Sequence, residues 1–199
     1  VGSEMCIRDR TDNAWIETDN LTLEFLDDNS FLWASERDGY RQLYWYDKSG
    51  KLKKQIAKGN WEITDYYGYN PKTKEAYIQT TEKGSLNKVV SKLNINSGKT
   101  TLISYPEGNN SASFSKSFNY FINTNSTAAS PYKFVLKDAN GKEIKELQNN
   151  NELLSKLQKD NFVTKEFITI PNSVGDQLNA WIIKPKNFDP NKKLSLIHI

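Results

Sequence analysis

The chain has 199 residues, a formal net charge of +3 and a single Cys, Met and His. All three fall at the ends, as Met5, Cys6 and His198, so Thr11–Lys193 lacks them entirely. That stretch has no means of building a zinc–thiolate site, a disulfide, an iron–sulfur cluster, a cysteine nucleophile or the imidazole of a Ser-His-Asp triad.

Charge is spread along the sequence, without the basic block that nucleic acid recruits, so no nucleic-acid partner is expected. No apolar run approaches the roughly 20 residues of a membrane helix. The termini, VGSEMCIRDR (1–10) and LSLIHI (194–199), resemble adapter read-through at the ends of metagenomic fragments. Both are expected to be artefactual, with 11–193 an internal piece of a longer protein.

In chain order, the middle reads as β. Phe31–Ala34 and Leu43–Tyr46 are aromatic, β-branched or apolar runs, each followed by a glycine turn, Glu36-Arg37-Asp38-Gly39 and Asp47-Lys48-Ser49-Gly50. The pattern recurs in Trp61–Tyr69, Glu75–Thr80 and Leu86–Asn94, closed by Asn96-Ser97-Gly98. A third copy runs Ala112–Ser115, Phe118–Thr124 and Tyr132–Asp138, closed by Asp138-Ala139-Asn140-Gly141. The closing glycines, Gly50, Gly98 and Gly141, lie 48 and 43 residues apart. A short fourth run follows each: Leu52–Ala57, Thr100–Ser104 and Lys142–Leu147.

Four strands repeating at such a period are the signature of β-propeller blades. Leu43-Tyr44-Trp45-Tyr46 is apolar on both pleat faces, as a strand between two neighbouring blades should be. A plain antiparallel meander or sandwich is the alternative. The repeat stops at 148. Glu152–Lys159 places leucines at helical spacing behind Asn residues that suit a cap, and predicts a short amphipathic helix. Strands are predicted over Thr164–Ile170 and Gln177–Lys184, joined by the turn Asn172–Asp176 and followed by a Pro-bracketed loop, 185–190. These two strands look like the opening hairpin of a second domain.

The stretch Phe31–Tyr44 (FLWASERDGYRQLY) resembles the F-x-W-x-S-E-R-D-G-[FY]-x-x-L-Y segment of the dipeptidyl peptidase IV subfamily of prolyl oligopeptidases. Lys58–Ile63, Ser113-Phe114-Ser115 with Tyr120, Glu146–Asn150 and Leu178–Asp189 are similar to later segments of that family, in the family's order. The resemblance implies a serine exopeptidase that releases N-terminal dipeptides, often after Pro or Ala. It pairs a propeller with an α/β-hydrolase whose nucleophile sits in a G-x-S-x-G elbow. On this reading the chain is mainly β. About three four-stranded antiparallel blades of a partial propeller span 11–148, and a linker with a short helix spans 149–163. The opening hairpin of a truncated α/β-hydrolase domain follows over 164–193.

No G-x-S-x-G occurs in the chain, so no catalytic residue is assigned, and neither a cofactor nor a metal is expected. Trp15 and Glu17 are the candidate substrate-cavity residues, because in the family a loop near them approaches the cavity; plain blade packing for Trp15 and solvation for Glu17 is the alternative. Ser35–Asp38 offers a hydroxyl and three charges, but a hairpin turn with Glu36 and Arg37 pairing locally or facing water accounts for it. Trp61 is expected in a blade–blade core. Asn20, Asn109 and Asn125 open N-x-[ST] triplets, which an Asn-rich chain produces by chance. The resemblance implies peptide substrates for the full-length protein, allows a homodimer, and favours a periplasmic or exported location. Two other readings are a non-catalytic propeller serving as an interaction module, and an oligopeptidase or acylaminoacyl-peptidase of the same fold.

Overall fold

A computed structural model describes residues 22–193. Trp15 and Glu17 lie outside the described residues, as do the two end stretches 1–10 and 194–199.

Three four-stranded antiparallel sheets follow one another along the chain, each a meander in sequence order. The first holds β1 (Leu23–Phe25), β2 (Phe31–Ser35), β3 (Gln42–Tyr46) and β4 (Leu52–Gln55). The second holds β5 (Ile63–Asn70), β6 (Glu75–Thr80), β7 (Val89–Asn94) and β8 (Thr100–Leu102). The third holds β9 (Asn109–Phe114), β10 (Tyr120–Thr127), β11 (Ser130–Asp138) and β12 (Glu143–Gln148). Each sheet is a blade, and the expected partial propeller is what forms.

The pleat explains why the blades stack. Along β6, Ala76 and Ile78 point one way and join Leu32, Leu43 and Leu93 in the core between the first two blades. Tyr77 points the other way and joins Val90, Ile103 and Phe121 in the core between the second and third. There the Tyr77 ring stacks on Phe118 at 4.7 Å, and Phe114 on Phe121 at 4.9 Å. A strand with a blade on each face needs no polar face, and β6 is buried almost throughout. Each large side chain so enclosed contributes about 1.5–3 kcal/mol. Trp61 packs against the first of these cores, as its position at a strand start suggested.

The β3–β4-type turn repeats its chemistry in every blade. Asp47, Asn94 and Asp138 each open the turn with a side-chain oxygen that accepts backbone N–H groups two to four residues on. Gly50, Gly98 and Gly141 close it at positive φ. In the later two blades the glycine also lies against the preceding blade: a Cβ at Gly98 would meet the Ile56 carbonyl, and one at Gly141 would come within 2.6 Å of the Ile103 carbonyl. Ile56 and Ile103 are equivalent positions, just past the fourth strand of their blades.

After the third blade comes α1 (Asn151–Lys159), then the hairpin β13 (Glu166–Pro171) and β14 (Gln177–Ile182). The helix has Asn150 at its N-cap position, but the side chain does not cap. Its Nδ2 donates to the Tyr132 carbonyl at 2.6 Å, while Asn149 Oδ1 accepts from the Asn151 N–H at 3.0 Å. Asn150 itself adopts left-handed backbone geometry, so it turns the chain from β12 into the helix and ties that turn to β11. No residue of α1 is fully buried.

Candidate functional site

The meander puts alternate connections at opposite ends of the blades. One end carries the glycine turns described above. The other gathers the β2–β3 turn, the β4–β5 segment, the β6–β7 loop, the β8–β9 segment and the β10–β11 turn. The hairpin lies at this second end, where Asn179 Nδ2 on β14 donates to Ser85 Oγ of the β6–β7 loop at 2.9 Å.

Between hairpin and blades runs a cleft of about 600 Å³. Asn87, Glu107 and Thr127 line it from the blades, and Lys165, Phe167 and Trp181 from the hairpin. Phe167 and Trp181 are cross-strand partners, and both remain about half exposed. The Lys165 ammonium sits 4.6 Å from the Trp181 ring centroid, in cation–π range. Aromatic surface, one ammonium and one carboxylate can grip a polypeptide but offer no nucleophile–base pair. Among the described residues no group of His, Cys, Asp and Glu could hold a metal ion.

Asn110 ties together the segments on the blade side of the cleft. Asn110 is fully buried, and its Nδ2 donates to the carbonyls of Lys88, Tyr105 and Glu107 at 2.9, 3.0 and 3.1 Å. Its Oδ1 accepts from Asn125 Nδ2 at 3.0 Å and from Asn123 Nδ2 at 3.4 Å. One side chain thus joins the β6–β7 loop, the β8–β9 segment and β10. Backbone bonds run alongside: the Lys88 N–H donates to the Gly108 carbonyl, and the Asn110 N–H to the Lys88 carbonyl. The Asn125 amide is engaged on the same hub, whereas Asn109 is exposed.

The Ser35–Asp38 turn lies at the same end. Arg37 finds an aromatic partner there, not Glu36. Its Nη2 donates to the Tyr46 hydroxyl at 2.6 Å, its Nε to Ser35 Oγ at 3.2 Å, and its guanidinium lies 4.3 Å from the Tyr44 ring centroid. The Tyr44 hydroxyl donates to Asp38 at 2.6 Å. Burial, and then the Asp38 carboxylate, push the Tyr44 phenol well above the ordinary tyrosine range. The motif is a structural clasp that closes the hairpin turn on its own strand.

A second charged cluster sits at the outer edge of the third blade. Lys137 is buried, with its ammonium 3.9 Å from the Tyr105 ring centroid, and burial lowers its pKa. The Tyr105 hydroxyl donates to Glu143 at 2.6 Å, and Lys133 pairs with Glu146 at 3.1 Å. These residues escape sequence reasoning because only the register of β11 on β12 brings Lys137 opposite Glu143.

Comparison with known proteins gives this arrangement a family. The family model described as the dipeptidyl peptidase IV (DPP IV) N-terminal region matches residues 2–132. The chain belongs to this family. The matched span begins inside 1–10 and ends within β11. Dipeptidyl peptidase 4 of Trichophyton equinum is 27% identical over 198 residues, covering 96% of this chain and 25% of the relative. That of Arthroderma otae is 29% identical over 167 residues, covering 82% and 21%. The crystal structure of Porphyromonas gingivalis dipeptidyl peptidase 4 superposes with a TM-score of 0.77 at 34% identity, over 85% of this chain and 24% of that one. The chain therefore spans about a quarter of the length of the dipeptidyl peptidases it matches. Its β-rich blades are those of a dipeptidyl-peptidase-type family.

Proposed function

We propose that the chain is a propeller sector and hinge of a serine-type dipeptidyl peptidase that removes dipeptides from peptide N-termini, often after Pro or Ala. Residues 11–148 are the propeller part and 149–163 the linker. Residues 164–193 begin the α/β-hydrolase domain, which in the whole protein carries the G-x-S-x-G nucleophile followed by its Asp and His. In this division of labour the blades act mechanically. They wall a cavity that only chain ends and short peptides enter, and the hairpin couples wall to catalyst. The 199 residues alone are catalytically inert.

The observation that carries this reading is the hairpin. It belongs to no blade, follows the last one after the short helix α1, and sits over the blade ends with both its strand edges unpaired by other described strands. A two-stranded sheet is marginal alone, and a free-standing interaction propeller has no use for one. The test is to express the complete reading frame from the source DNA beside the 199-residue chain and assay both with a peptide beginning Ala-Pro. The frame is expected to release the dipeptide and the chain to release none. A frame without the serine elbow, or turnover by the chain, would contradict the proposal.

A further inference from the structure

We infer that Asn140 is a site of spontaneous, water-driven deamidation, promoted by a lysine from the neighbouring blade. Asn140 is exposed at the tip of the β11–β12 turn and is followed by Gly141, which has no side chain to hinder attack by its backbone nitrogen. The fold holds this reactive pair in place. Gly141 sits at φ +83°, and a Cβ there would meet the Ile103 backbone at 2.6–3.1 Å, so no bulkier residue fits. The second blade supplies the promoting charge: Lys92 Nζ donates to Asn140 Oδ1 at 3.0 Å. Lys92 is itself held by Glu75, 3.5 Å away, and only 15% of its side chain is exposed.

The step balances with water as the sole co-reactant. The Gly141 nitrogen gives its proton to water or hydroxide and attacks Asn140 Cγ. As the C–N bond forms, negative charge develops on Oδ1, where the Lys92 ammonium stabilises it. Nδ2 takes a proton from water, and the tetrahedral centre collapses to a five-membered succinimide as the bond to Nδ2 breaks and ammonia leaves. One water then opens either ring carbonyl, giving aspartate or isoaspartate. The bond from the Gly141 N–H to the Asp138 carbonyl, at 2.9 Å, must open first, so the turn sets the pace. The aspartate product would place a carboxylate against Lys92, turning a hydrogen bond between blades into a charge-assisted one.

The folded 199-residue chain, held at mildly alkaline pH and mapped by peptide mass spectrometry over time, tests this. Asn140 is expected to convert ahead of the exposed Asn-Ser bonds at Asn29 and Asn96. Lys92→Gln should slow conversion at Asn140 severalfold and leave Asn29 and Asn96 unchanged. Those two rates in the same sample also report whether the variant stays folded. Asn140→Gln should abolish the modification of that peptide. Conversion of Asn29 or Asn96 ahead of Asn140, or an unchanged Asn140 rate in Lys92→Gln, would overturn the inference.

Discussion

Asn110 is the residue on which the hairpin end of the molecule turns. Replacing it with Ala removes five side-chain hydrogen bonds at once, although each of the three carbonyls and both Asn amides keeps another partner. The expected cost is about 2–4 kcal/mol, read from urea unfolding midpoints. Asn110→Asp should fare no better, because it buries a carboxylate against three carbonyl oxygens with no N–H to give them; a neutral Asp variant would show that the hub is idle. Sequence reading saw only an Asn-rich stretch here, since a hub is visible only once the β6–β7 loop, the β8–β9 segment and β10 converge. The same holds for Lys137, an ordinary lysine in the sequence and a buried one in the blade. Burial first of all, with Lys133 adding, holds its pKa below the usual lysine value, while Glu143 opposes. Between the folded and unfolded values the unfolded chain binds more protons, so this residue makes stability rise with pH through that window. Lys137→Met keeps the stem over Tyr105. It should be no less stable than the parent at neutral pH, and the difference between the two should shrink as pH climbs toward the ordinary lysine range. A difference that stays constant with pH would remove Lys137 as its source.

At the scale of elements, the three closing glycines make an internal control. All three turns need positive φ, but only Gly98 and Gly141 lie against a preceding blade; nothing stands within 4 Å of a Cβ at Gly50. Gly50→Ala is expected to cost about 1 kcal/mol, from conformation alone. Gly98→Ala and Gly141→Ala should each cost about 2–4 kcal/mol as the blade interface parts. Equal losses at all three, measured by denaturant titration, would contradict the stacking described. The glycine spacing was legible in sequence because turn chemistry is local, as were most strands, with ends displaced by a few residues. β1 was not legible: Leu23-Glu24-Phe25 is three residues long and sits against the polar run Asp27-Asp28-Asn29. The helix was legible but its cap was not, because Asn150 spends its side chain on the Tyr132 carbonyl of β11.

For the whole molecule, the repeat announced blades and the structure stacks three of them, which excludes the single meander or flat sandwich. The candidate site was less legible. Trp15 and Glu17 lie outside the described residues, and the cleft under the hairpin is assembled from segments near 87, 107, 127, 165 and 181, which no local pattern connects. The proposed function makes this chain a propeller sector and expects the catalytic groups in another domain. The measurement that tests this most directly is dipeptide release from an Ala-Pro-initiated peptide by the complete reading frame and by the 199-residue chain, side by side. The account predicts release by the frame and none by the chain; a frame that releases no dipeptide, or a chain that does, contradicts it.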